Sequence, residues 1–128
     1  MSTTDYDRTV AFYDAVLAAI GAERCVDMVA HWNTEWPTQR ICAYGPAGKP
    51  IYWIAEARES QSARHVAFAA ENEDAVRAFH AAGLAAGGTD NGEPGPRPIY
   101  HPGYFGGFLL DPEGNNVEAV FHGHQPAE

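Results

Sequence analysis

Cysteine is scarce. The 128 residues hold two, Cys25 and Cys42, without the close spacing of a metal knuckle. A disulfide-built scaffold is excluded, and a reducing, cytoplasmic setting is the plain expectation. Positive charge is short as well. Eight Lys and Arg stand against 17 Asp and Glu, a formal charge of −9, and no basic run occurs. Nucleic acid is therefore not an expected partner. No apolar run approaches the ~20 residues of a membrane span. The opening MSTTDYDRTV lacks the basic head and apolar body of a signal peptide, so no membrane partner is expected. What is present is a 45% apolar fraction, enough to bury a core. The length fits a single domain over residues 1–128, or two half-domains sharing a sheet.

The most informative stretch is Tyr100–His122, YHPGYFGGFLLDPEGNNVEAVFH. Phe105–Leu110 reads as a strand. Asp111-Pro112-Glu113-Gly114 has the acceptor, the fixed φ and the glycine of a type I turn. In the strand that follows, Val117, Ala119 and Phe121 share one face, and Glu118, Val120 and His122 the other. A lone glutamate among apolar strand residues must reach water, find a partner or bind an ion.

From the start, Asp5 or Asp7 caps a helix running to about Ala19, with Val10, Phe12 or Tyr13, Val16, Leu17 and Ile20 as its apolar stripe. Arg24–Trp32, Gln39–Tyr44 and Ile51–Ala55 read as strands. Arg58–Ala63 reads as a polar linker. Arg64–Ala69 is a strand, Asn72 caps a second helix ending at Gly87-Gly88, and Asp90–Gly103 reads as a long loop. The two helices repeat. Moved back by 67 residues, RAFHAAGLAAGG falls on VAFYDAVLAAIG, matching Phe79 to Phe12, Leu84 to Leu17 and Gly88 to Gly21 among others. This predicts a duplication in which each half is βαβββ. The same shift carries His65 to a position before Met1, so the first half is expected to lack its opening strand, leaving a sheet edge to be covered or paired.

Paired βαβββ modules, the FYDAVLAAIG helix, RHVAF opening the second half and the ending FLLDPEGNNVE together resemble the vicinal oxygen chelate superfamily. That group holds glyoxalase I, extradiol dioxygenases, fosfomycin-resistance enzymes and bleomycin-resistance proteins. The resemblance implies an α+β fold of two modules, residues 1–57 and 64–122, curling into half-barrels with a ligand cleft between. Metal-using members carry His or Glu on the first and last strands of each module. Here His65 and Glu118 match the second module's pair. Tyr52 aligns with the first module's Glu, and its His has no counterpart. The implied cofactor is one divalent metal (Fe, Mn, Ni or Zn), or none.

The residues leave alternatives open. His65 is either a metal ligand or a strand histidine bonded to Glu118. Glu56 is a weak candidate for a third oxygen. His101 and Tyr104, at the mouth of the expected cleft, are candidates for proton transfer, against a plain Pro-Gly turn bearing surface aromatics. Tyr52, Trp32 and Tyr100 are candidate ligand-binding residues, although His31, Trp32 and Trp36 equally suit burial. His80 reads as a helix-face residue and His122-Gly123-His124 as a solvent-exposed tail. Two functions follow from the resemblance. One is a metal-assisted lyase, isomerase or dioxygenase acting on a small molecule with vicinal oxygens. The other is a metal-free protein that sequesters a cationic or aromatic compound, as bleomycin-resistance proteins do. The resemblance also implies a homodimer.

Overall fold

A computed structural model describes residues 1–59 and 64–123. Strand β1 (Ser2–Thr3) leads into helix α1 (Tyr6–Ala18), followed by β2 (Glu23–Val29), β3 (Arg40–Gly45) and β4 (Tyr52–Glu56). The second half repeats the pattern with β5 (His65–Ala69), α2 (Glu73–Ala85), β6 (Thr89–Pro96), β7 (Tyr104–Leu110) and β8 (Asn116–His122). The two four-stranded sheets have the same order, β1-β4-β3-β2 in front and β5-β8-β7-β6 at the rear. In each, the first strand runs parallel to the fourth and the other pairs are antiparallel. Duplication is thus visible in topology as well as in sequence.

Each helix starts where a short polar side chain satisfies an orphan N–H. The Asp5 carboxylate accepts from the Arg8 N–H and the Asn72 amide oxygen from that of Ala75, at equivalent places 67 residues apart. The helices pack on each other as well as on their own sheets. Gly83 permits the approach, since a Cβ there would lie 2.2 Å from a Leu109 methyl and 3.0 Å from one of Val16. Phe12, Tyr13, Val16 and Leu17 then join Tyr44, Ile54, Val76, Phe79, Leu109 and Val117 in one core. Both inner sheet faces look into that core, and both outer faces look away from it.

Two expectations need correction. The front module does not lack its opening strand. Ser2 and Thr3 pair with Ala55 and Glu56, and the Ala55 and Ala57 N–H groups donate to the carbonyls of Met1 and Thr3. Two residues are too few to show a period. Likewise, Asp90–Gly103 is not loop throughout, because Thr89–Pro96 forms β6. It is an edge strand, bonded only to β7 and interrupted by register shifts beside Gly92 and Gly95. An edge tolerates the missing N–H of Pro94 and Pro96. The linker lies partly outside the described residues, and no described helix is long and apolar enough to cross a membrane.

At the rim of the front sheet, Arg40 donates to Glu56 at 2.9 Å and Asp7 at 2.8 Å and stacks on Tyr6. Its guanidinium, hydrogen-bonded to Glu56, holds that carboxyl below the usual glutamate range. A lowered folded-state pKa stabilises above the unfolded value and is lost as pH falls through the folded one. Glu56→Gln is therefore expected to cost about 1 kcal/mol at neutral pH, discounted for the exposed arginine. The difference from the wild type should close below the carboxylate range. A gap in urea midpoint that persists there would contradict this.

Candidate functional site

The outer face of the rear sheet is built by alternation. Ala67 pairs with Glu118, and Phe108 with Glu118 on the other side. His65 and Ala69 therefore share the face of Glu118, with Val120 and His122 along β8 and Tyr104, Gly106 and Phe108 along β7. Glu118 is buried there, and both its oxygens are engaged. His65 Nε2 lies 2.9 Å from Oε1, and the Tyr104 hydroxyl donates to Oε2. The His65 side chain remains 55% exposed, so the dyad presents its imidazole outward and keeps its carboxylate inside. Burial, and then the bond to Glu118, raise the Tyr104 phenol above its ordinary value, so it stays a protonated donor. Gly106 provides the room, because a Cβ there would come within 3.0 Å of the Tyr104 ring and 3.4 Å of Phe108.

The neighbouring loop adds a second cluster. His101 stacks on His122 with ring centroids 5.0 Å apart, and its Nε2 lies 2.8 Å from His122 Nδ1. Both imidazoles meet the Tyr104 ring edge-on, and Tyr100 lies 4.8 Å from the same ring. The structure thus brings His65, Glu118, Tyr104, His101 and Tyr100 into one neighbourhood and adds His122, which the sequence reading left in the tail. His124 lies outside the described residues.

Other candidates fall elsewhere. Trp32 is 67% exposed on the turn after β2, not buried, and Trp36 is half-buried beneath Arg58. His31 is exposed. His80 is buried, with Nε2 2.9 Å from Asp90 at the start of β6. Glu56 is committed to Arg40. Tyr52 does not hold the front counterpart of Glu118. The helices are offset by 67 residues, which sets Ser2 against Ala69; their β partners are Ala55 and Val120, so Trp53 corresponds to Glu118. The sequence alignment had slipped by one residue, and one residue inverts the face. Tyr52 points inward, against Tyr13 and Phe68, where burial pushes its phenol up to about 12.

The sequence matches the profile of the Glyoxalase/Bleomycin resistance protein/Dioxygenase superfamily over residues 1–119. The chain belongs to this superfamily. Similar solved structures agree with the fold. A glyoxalase/bleomycin resistance protein from Albidiferax ferrireducens T118 is 26% identical over 94% of each chain, with a TM-score of 0.70. Glyoxalase I from Zea mays, a V-to-E mutant, is 20% identical over 94% of this chain and 43% of that one, with a TM-score of 0.67. A mutant of the fosfomycin-resistance protein FosX from Listeria monocytogenes, complexed with Mn(II) and a dihydroxypropylphosphonic acid, is 19% identical over 94% of this chain and 86% of that one, with a TM-score of 0.61. No curated protein matches.

A superfamily that includes a manganese complex raises the question of a metal here. The donor set does not fit one. Among the described residues no group of three or more His, Cys, Asp and Glu is placed to hold an ion. A protein site for such a metal takes three or more ligands. His65 and Glu118 are two, each bonded to the other, and Tyr104 fills the second carboxylate oxygen. Trp53, at the corresponding place in the front module, is not a ligand.

Proposed function

We propose that this member of the superfamily binds a small molecule at the rear sheet without a resident metal. The observation that carries the reading is the closed state of Glu118, whose two oxygens are met by His65 and Tyr104. A carboxylate used in this way orients an imidazole; it does not wait for an ion. The half-exposed His65 also favours a second reading, an enzyme of isomerase or lyase type in which His65, steadied by Glu118, takes a proton from a bound substrate. The metal-assisted form of lyase, isomerase or dioxygenase chemistry has no support in the donor set. Free Cys25 and Cys42 suit the cytoplasm, and the outer face of the front sheet, where Trp53 is 43% exposed beside the half-buried Val26, Met28 and Ile41, supports a homodimer.

Elemental analysis of the purified, tag-free protein tests the first reading. It should show no stoichiometric divalent metal, and Glu118→Gln should leave that result unchanged. Gln keeps an acceptor for Tyr104, so its stability should stay within about 1 kcal/mol of wild type. One metal per chain, lost in the variant, would overturn the proposal.

A further inference from the structure

A cavity of about 430 Å³ lies in the seam between the sheets, lined by Met1, Ser2 and Tyr52 from the front half and Arg64, His65, Val66 and Asn115 from the rear. The size suits a small ligand. No carboxylate lines it. This is unexpected in a chain with a charge of −9. Three other arginines are spent on acids, Arg24 on Asp14 and Asp27, Arg40 on Asp7 and Glu56, and Arg77 on Glu73 and Asp74. Arg58 stacks on Trp36, and Arg97 donates to the Glu93 and Pro96 carbonyls. Arg64 differs. Its backbone is pinned on both sides, the N–H donating to Asn115 Oδ1 at 2.8 Å and the carbonyl accepting from the Asn116 N–H at 2.8 Å. Its guanidinium has no carboxylate within ion-pair reach among the described residues.

The rest of the lining carries no acid. Asn115 is consumed, its oxygen by the Arg64 N–H and its amide by Asp111. His65 turns Nε2 to Glu118, so in the neutral ring its Nδ1 is an acceptor that can take a proton from a ligand. Tyr52, its phenol pushed up by burial, offers a ring and a protonated hydroxyl, and Val66 an apolar floor. A guanidinium without a carboxylate partner beside an apolar wall is complementary to an oxyanion carried on an apolar body.

We propose that the seam cavity is an anion subsite, in which Arg64 receives the carboxylate or phosphate of a small ligand whose apolar part rests on Tyr52 and Val66. The proposal rests on the small-molecule reading above and gives it a charge. The chain's negative balance suggests a cationic ligand, but a ligand meets the local field of its cavity, not the sum over the surface. His65 lines the subsite and bonds Glu118, so a ligand held there lies beside the dyad.

The test is titration of the full chain by calorimetry with phenyl phosphate, benzoate and benzylamine. Saturable binding of phenyl phosphate, benzoate or both is expected below roughly 10 mM, with none for benzylamine. The tighter of the two anions identifies the group. Arg64→Gln should weaken anion binding about tenfold or more, while Lys49→Gln, at an exposed cation outside the cavity lining, should leave it unchanged. Failure of both anions to bind, equal binding of benzylamine, or an unaltered affinity in Arg64→Gln overturns the subsite. If Glu118→Gln loses anion binding and Arg64→Gln keeps it, the subsite falls while the small-molecule reading stands. A stoichiometric metal would sink the metal-free reading without touching the Arg64 result.

Discussion

Asp111→Ala is expected to lower the free energy of unfolding by about 4 kcal/mol. Asp111 is 4% exposed and accepts from four donors. The Tyr13 hydroxyl reaches it from α1 at 2.6 Å, and the N–H groups of Glu113 and Asn115 each lie at 2.9 Å. The Asn115 side-chain amide closes the set at 2.9 Å. Removing the carboxylate strands all of these, and each buried donor left unmet costs about 1–3 kcal/mol, not additively. The hydroxyl of Tyr13, fully buried, cannot turn to water. Tyr13→Phe isolates the bond between the halves and should cost about 1.5 kcal/mol. Urea denaturation reads both. A loss below that of Tyr13→Phe for the alanine variant would mean that the turn holds without its acid. The turn also launches β8, so Glu118 depends on this anchor for its register against β5 and β7.

The same turn shows what a sequence can disclose. Asp-Pro-Glu-Gly names its own geometry, and Gly114 does carry the positive φ, 84°, with its N–H donating to the Asp111 carbonyl. Helix caps and the duplicated stripe are local signals of the same kind. That Asp111 also clasps Tyr13, 98 positions away, is not local. The bond between His65 and Glu118 is one of the two alternatives open in the sequence, and the parallel pairing of β5 with β8, which no local signal discloses, brings the two together. Tyr104 was named for its loop, but its partner was legible. A hairpin folded about Asp111–Asn115 sets Tyr104 opposite His122, on the face of Glu118. Trp53 was missed for a different reason. Between helix and last strand the front module is two residues longer than the rear, and no pattern in Pro46–Gly48 says where the extra residues sit.

Trp53→Glu is expected to turn a dimer into a monomer. Trp53 is 43% exposed, and the register places it on the outer face of the front sheet with Ala43, Ile41, Val26 and Met28. Because both helices and both inner faces share one core, nothing among the described residues stands opposite the rear sheet's dyad. In the homodimer proposed above, the front sheet of a second copy would lie over the rear sheet, set Trp53 at the position equivalent to Glu118 and close the site with an aromatic wall in place of ligands. A central tryptophan in such an interface is worth about 2–4 kcal/mol, so the charged variant should dissociate some 30- to 1000-fold more readily. Light scattering at micromolar concentration measures this, with circular dichroism to show that the variant folds. Small-molecule affinity should fall with the dimer if the wall belongs to the site. A wild-type monomer at that concentration, or a Trp53→Glu variant that stays dimeric, would leave the rear sheet to bind its ligand alone.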